Sequence, residues 1–190
     1  MEIVLASASP RRKMLLEQLG LEFKIQPSGI DETKIKLDSP SELVQRLSYL
    51  KADEVQSRDS QLIIAADTVV SSQNLILEKP KDEEEAKRML KKLSGRTHQV
   101  MTGVTVIKDE KVKTDYEETN VTFKELTSSE IDDYIATGEA LDKAGAYGIQ
   151  AKGAVLVKKI EGCFYNVVGL SLYKLVEMIK EMGLEIKLNG

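Results

Sequence analysis

Ser7-Ala8-Ser9-Pro10-Arg11-Arg12 is the first segment of the chain equipped for chemistry. Ser9 reads as an N-cap and Pro10 as the first residue of a helix. A helix N-terminus offers unpaired backbone N–H groups and about half a positive charge, which suits an anion. Arg11 and Arg12 would be the second and third helical residues, opposing the dipole at about 0.3–1 kcal/mol each when exposed. A polyphosphate seated among them removes that penalty, and guanidinium forks match phosphate oxygens. An ordinary capped helix with solvated arginines accounts for the same residues.

Asp67-Thr68 ends the apolar run 62–66, which is short enough for a buried strand. Ligands of open α/β sheets sit at the carboxyl ends of strands, where a carboxylate commonly holds a metal or activates water. A solvated strand end or a turn explains Asp67 equally well. Glu32 lies in the loop Gly29-Ile30-Asp31-Glu32-Thr33, Lys51 on a helix, and Lys79 just before Pro80. Each is unremarkable in a chain that is 31% charged, and only a shared site would single them out. Ala144-Gly145-Ala146-Tyr147-Gly148-Ile149-Gln150 has two glycines around an aromatic ring, the mark of a tight turn or a close approach. The Gln150 carboxamide pairs one donor group with one acceptor, which matches the N3–H and O4 of uracil or thymine. A glycine-rich turn before the next strand is the plainer reading.

Other chemistries are missing from the sequence. It has no Gly-x4-Gly-Lys-Ser/Thr loop and no Gly-x-Gly-x-x-Gly after a strand, so kinase-like and dinucleotide-binding readings fail. His98 is the one histidine and Cys163 the one cysteine, which rules out a zinc site built from these ligands. His98 reads as structural and Cys163 as a packing residue beside a turn. A metal, if used, should be hard and carboxylate-bound, Mg²⁺ or Mn²⁺.

The elements that must hold these residues alternate. Residues 3–6 read as a buried strand, followed by the Ser9-capped helix closed by Gly20. Residues 23–26 read as a strand, and Ser39-Pro40-Ser41-Glu42 as a capping box opening a helix to about Gln56. After the strand 62–66 come a short strand at 75–77 and a helix capped by Asp82 and Glu85, running through Leu93 to Gly95. Segments 99–107 and 112–124, rich in Val and Thr, predict a long hairpin. Thr127 caps a helix to about Ala136. Strands are expected at 154–160 and 164–168, then a helix at 171–182 and a last strand at 184–187. This is the pattern of an α/β fold with a mixed sheet.

At 190 residues the chain fits one domain or two small lobes sharing a core, and 42% apolar residues suffice for that core. The net charge of −4 makes nucleic acid a poor partner, though local cations could still hold a small anion. The lone cysteine points to a reducing compartment. The order of charge and apolarity at the start is wrong for a signal peptide, and no apolar stretch approaches a membrane span. These features lead to a cytoplasmic expectation.

Taken together, the segments LASASPRR, GIDET, AADTVV, EKP, LSGRTH, LDKAGAYGIQ and VVGL resemble the Maf family, also called septum formation inhibitor-like proteins. Their order along nearly the whole chain makes the resemblance specific. It implies one domain over 1–190 with an elongated α/β fold of the Maf/inosine triphosphatase-like kind, a mixed sheet flanked by helices around a central cleft, often dimeric. It implies metal-dependent hydrolysis of nucleoside triphosphates between the α- and β-phosphates, in the branch that takes dTTP and UTP. Carried over by position, Asp67 becomes the proton acceptor that activates water. Glu32, Lys51 and Lys79 join it in a polar site, with Asp67 and Glu32 as the metal carboxylates, and Ser9, Arg11 and Arg12 lie on the phosphates. Arg11, Thr68 and Gln150 fall where that branch has its specificity residues. Whether Asp67 ligates the metal, takes the proton or does both stays open, as does a second class: a nucleotide-binding regulator of cell division that acts through a protein partner. The intact set Asp67, Glu32, Lys51 and Lys79 favours the enzyme.

Overall fold

The structure, a computed structural model, describes residues 2–56, 61–73 and 75–186. The run Glu2–Leu5 forms β1, buried apart from its first residue, and Ser9 stops it by capping α1 (Pro10–Gln18). The Ser9 side chain accepts from the Arg12 amide, and proline at the first turn sacrifices only an N–H that has no helical partner. Next come β2 (Lys24–Ile25), a 3-10 turn at Glu32–Lys34 and α2 (Pro40–Val55), which Ser39 caps through the Glu42 amide. α2 buries Leu43, Val44, Leu47, Ser48, Lys51, Ala52 and Val55, a stripe at helical spacing that includes one serine and one lysine.

β3 (Gln61–Ser72) and β4 (Leu75–Leu77) pair antiparallel, and α3 (Glu83–Leu93) starts at Asp82. The long hairpin is β5 (Thr97–Lys108) and β6 (Lys111–Phe123), turning at Asp109, whose φ is 54°. α4 (Ser128–Ile135) carries a full capping box, Thr127 with Glu130. β7 (Val157–Glu161), α5 (Phe164–Val168) and α6 (Leu172–Glu181) complete the chain. The seven strands form one sheet in the order β2-β1-β3-β5-β6-β7, with β4 on β3. β1 is parallel to both β2 and β3, and β7 is antiparallel to β6, so the α/β class with a mixed sheet holds.

The chain divides into two compact units. One takes residues up to 67, then 102–117, then from 169 onward; the other takes 68–101 and 118–168. In the first, Val4, Ala6, Ala52, Val55, Ile63, Ala65 and Ile107 make an apolar cluster. The second has its own core, with Leu90, Leu93, Val121, Phe123, Tyr134, Tyr147 and Leu156 among its members.

Four segments differ from the sequence expectation. Asp67 does not end its strand. β3 continues to Ser72, because Thr68-Val69-Val70 suits a strand and Val70 pairs with Leu77. Residues 151–156 form a 3-10 turn before β7, so the strand expected at 154–160 starts at Val157. The expected strand 164–168 is the short helix α5. The Asn166 amide donates to the Val100 carbonyl and to the Thr119 hydroxyl, both at 2.9 Å. Thr119 also donates to the Cys163 carbonyl at 3.1 Å and accepts from the Cys163 amide at 3.0 Å. That network coils the segment despite its β-rich composition, and it places Cys163 beside a turn, half-buried. Residues 184–186 carry no strand, and Lys187 of the expected last strand lies outside the described residues.

Candidate active site

In the first unit, Lys51 organises the polar residues. It stands in the buried stripe of α2, 7% exposed, and its Nζ lies 2.6 Å from Asp67 Oδ1 and 2.8 Å from Glu32 Oε1. Asp67 is 6% exposed, whereas the Glu32 side chain keeps about half its surface. One buried ammonium therefore carries two carboxylates from different elements. A buried charge needs such partners, since ions taken from water unpaired are heavily penalised. Asp67 stands at this place because β3 outruns its parallel neighbour. β1 pairs with β3 only from Glu2↔Gln61 to Leu5↔Ile64, and the Ala6 amide donates to the Ile64 carbonyl at 2.8 Å. Beyond that point the chain leaves β1 into the Ser7–Ser9 loop, while β3 continues into Asp67. The residue is thus mid-strand in its own element and at the carboxyl edge of the parallel pair, which is where open sheets present catalytic groups.

The loop after β1 is built around Arg12. The plain capped-helix reading leaves both arginines solvated, but Arg12 is only 9% exposed. Its Nε donates to the Gly169 carbonyl at 2.9 Å and its Nη1 to Ser7 Oγ at 3.2 Å. Ser7 Oγ also accepts from the Ser9 amide at 3.2 Å, so guanidinium and loop set each other's position. Burial presses the Arg12 pKa down. Asp67 and Glu32 act against that and Arg11 adds to it, so these four charges share one electrostatic neighbourhood. Arginine stays protonated at neutral pH regardless. Arg11 is half-buried and Ser9 serves as the helix cap.

Glu32 is presented by a small folded loop. Asp31 Oδ1 accepts from the Thr33 amide at 3.2 Å and the Thr33 hydroxyl at 2.6 Å, a side-chain turn that launches the 3-10 turn. The Gly29 amide donates to Glu54 Oε2 at 2.7 Å, tying the start of this loop to α2. Glu54 sits three residues after Lys51 on the same helix, so one helix holds both the ammonium and the loop that delivers Glu32. The sequence reading missed Glu54, Ser7 and Gly169. The signal for Glu54 was its helical spacing from Lys51; for the other two there was none beyond membership of the LASASPRR and VVGL segments.

The remaining predicted residues lie in the second unit. Thr68 follows Asp67 on β3 and is half-buried, Lys79 is exposed before buried Pro80, and Gln150 is half-buried ahead of the 3-10 turn Ala151–Leu156. The Gln150 side chain makes no capping bond there. The segment before it is firmly held. The Gly148 amide donates to the Tyr134 hydroxyl at 3.1 Å, and the Gly145 amide to the Glu78 carbonyl at 3.2 Å. Gly145 has φ 68°, and a Cβ there would lie 3.0 Å from Val70 carbons, so glycine is required. His98 belongs to this unit's core, as expected. Its Nε2 and the Tyr147 hydroxyl are 2.8 Å apart, and its ring meets those of Phe123 and Tyr147 edge-on.

Among the described residues, no group of three or more His, Cys, Asp or Glu side chains could hold a metal ion, and no helix is long and apolar enough to cross a membrane.

A curated dTTP/UTP pyrophosphatase of Bacillus cereus strain B4264 is 48% identical over 186 residues, 97% of each chain. Its counterpart from Bacillus thuringiensis subsp. konkukian strain 97-27 is also 48% identical over 186 residues, again 97% of each chain. Among solved structures, the Staphylococcus aureus Ham1 protein matches with a TM-score of 0.47 at 16% identity, covering 65% of this chain and 72% of its own. The family profile described as Maf-like protein matches residues 2–182. The chain belongs to the Maf family.

Proposed function

We propose that the chain hydrolyses dTTP and UTP to the monophosphate and pyrophosphate, with Asp67, Lys51 and Glu32 at the reacting end. The observation that carries this reading is the buried ammonium of Lys51 gripping both Asp67 and Glu32, in a chain about half identical to dTTP/UTP pyrophosphatases. Lys51 holds Asp67 Oδ1, so Oδ2 is the oxygen assigned to take the proton from the attacking water. The water oxygen bonds to the α-phosphorus, the bond from that phosphorus to the bridging oxygen breaks, and pyrophosphate leaves. Arg12, fixed by Ser7 and Gly169, and its neighbour Arg11 supply cations for the phosphates, with Ser9 and the opening amides of α1 beside them.

The donor set suits a divalent ion of the Mg²⁺ or Mn²⁺ kind. Asp67 and Glu32 are two hard carboxylates, and such ions take one or two of these plus substrate phosphate oxygens and water. When bound, the ion would neutralise phosphate charge and lower the pKa of a coordinated water. Lys79, Thr68 and Gln150 are assigned to the substrate on the family resemblance: Lys79 to the polar site, Thr68 and Gln150 to the base. A reducing cytoplasm fits the lone Cys163, and a homodimer is the assembly the resemblance implies.

The test is turnover by purified protein of a panel of standard nucleoside triphosphates, with pyrophosphate as readout, beside Asp67→Asn. Wild type should favour dTTP and UTP and lose activity in EDTA, and the variant should be slower by roughly 10²–10⁴, the span typical of a general base. Near-normal turnover by the variant would remove Asp67 from the chemistry. Orthophosphate as the first product would place the cut elsewhere on the triphosphate.

A further inference from the structure

The backbone of β5 touches the backbone of α2, and this contact is upstream of Lys51. A Cβ added at Gly103 would lie 2.2 Å from the Val44 carbonyl oxygen and 2.8 Å from the Gln45 nitrogen, separations that no real side chain tolerates. One turn further along the helix, the buried Ser48 hydroxyl lies 3.0 Å from that of Thr105, which lies 2.9 Å from that of Thr114 on β6. Ser48 also donates to the Gln45 carbonyl at 3.0 Å. Lys51 follows Ser48 by three residues and Val44 by seven, so all three occupy one face of α2.

From this we infer that Gly103 and the Ser48–Thr105–Thr114 hydroxyl chain are positioning residues for hydrolysis, seating α2 at the depth and rotation from which Lys51 reaches Asp67 and Glu32. The glycine sets depth, since any larger residue holds the helix off the sheet. The hydroxyl chain sets rotation and register, since it is directional and both Ser48 and Thr105 are fully buried, where an unmade bond is unfavourable. Lys51 cannot readily absorb a displacement through its flexible stem, because that stem is buried in the same stripe. The inference rests on the proposed reading of Lys51, Asp67 and Glu32 as the hydrolytic site.

A double-mutant cycle between Gly103→Ala and Lys51→Ala tests it, with single-turnover rates of dTTP hydrolysis as readout and thermal melts to confirm folding. Gly103→Ala should lower kcat by roughly 10- to 100-fold, the order expected of a displacement near 1 Å at a reacting centre, with KM moved less than kcat. On the Lys51→Ala background the same substitution should change the rate less than about twofold, because the group it misplaces is gone. Equal losses on both backgrounds would show general structural damage and overturn the positioning role. A Lys51→Ala enzyme as fast as wild type would instead overturn the reading of the site. Should Gly103→Ala fail to melt cooperatively, Thr105→Val runs the same cycle, with Thr105→Ser as the rescue. Thr105→Val turning over at the wild-type rate would also overturn the proposal.

Discussion

Arg11 and Arg12 are adjacent in sequence, yet the structure gives them different work. Arg12 holds the Gly169 carbonyl and Ser7 from a buried position, while Arg11 is half-buried at the same helix start. Arg12→Ala therefore leaves a buried carbonyl without its donor and should lower the unfolding free energy by about 1–3 kcal/mol, besides weakening triphosphate binding. Arg11→Ala should weaken binding with little loss of stability. Denaturant melts paired with calorimetric titration of a slowly hydrolysed dTTP analogue separate the two, and equal melting curves would contradict the role given to the Arg12 bonds. Gln150 supports a second comparison. If its carboxamide reads N3–H and O4 of the pyrimidine, Gln150→Glu keeps the acceptor, loses the donor and faces O4 with a carboxylate oxygen. The specificity constant for dTTP and UTP should fall roughly ten- to a hundredfold. Guanine nucleotides, with adjacent donors at N1 and N2, should lose less. Uniform losses across bases would mean that Gln150 supports its loop and does not read the base.

At the scale of elements, α2 is the part on which the candidate site depends most. It carries Lys51, and through Glu54 it anchors the loop that presents Glu32. Glu54→Ala should free the Gly29 end of that loop and raise the Mg²⁺ concentration for half-maximal activity by roughly two- to tenfold, the size of one net hydrogen bond. Glu54→Gln keeps an acceptor for the Gly29 amide and should stay near wild type. An unchanged Mg²⁺ requirement in the alanine variant would show that the loop holds its shape alone. The elements were legible where local chemistry dictates them. Ser9-Pro10, Ser39-Pro40, Asp82 and Thr127 each start a helix where the sequence places it, and the Lys108–Lys111 turn closes the hairpin. They were illegible where distant partners decide. Phe164–Val168 has strand composition, but Asn166 is captured by Val100 and Thr119, more than forty residues away in sequence. Asp67 looked like a strand end because an apolar run stops there, whereas its buried partner Lys51 lets a carboxylate stand mid-strand. The clue available beforehand was Lys51 itself, a charged residue inside the apolar stripe 44-47-48-51-52-55.

At the scale of the whole molecule, three of the four passages of the chain between its two compact units fall inside strands, and the fourth follows α5 at residue 169. The chain leaves the first unit at residue 67 in β3, returns at 102 in β5 and leaves again at 117 in β6. Crossings of this kind need no Pro- or Gly-rich linker, which is why composition showed no boundary. The second unit has a titratable group at its centre. His98 is 2% exposed and packed edge-on against Phe123 and Tyr147, and its Nδ1 has no hydrogen-bond partner among the described residues. Burial lowers its pKa from 6.5 to about 4, and burial raises that of Tyr147, which keeps its proton. The neutral imidazole therefore belongs to the folded state, and between pH 6.5 and about 4 the unfolded chain binds the extra proton. The His98 contribution is complete above pH 6.5 and erodes as acid is added, reaching a loss of about 3 kcal/mol near pH 4. Carboxylates elsewhere add their own acid sensitivity, so the comparison must be differential. Thermal melts of wild type and His98→Gln between pH 7.5 and 4.5 supply it. Glutamine cannot charge, so the variant should lose less stability per pH unit below 6.5, even if it melts lower at neutral pH. Parallel curves throughout that window would mean that His98 takes up its proton without disturbing the core, and that the acid sensitivity of the second unit lies in other groups.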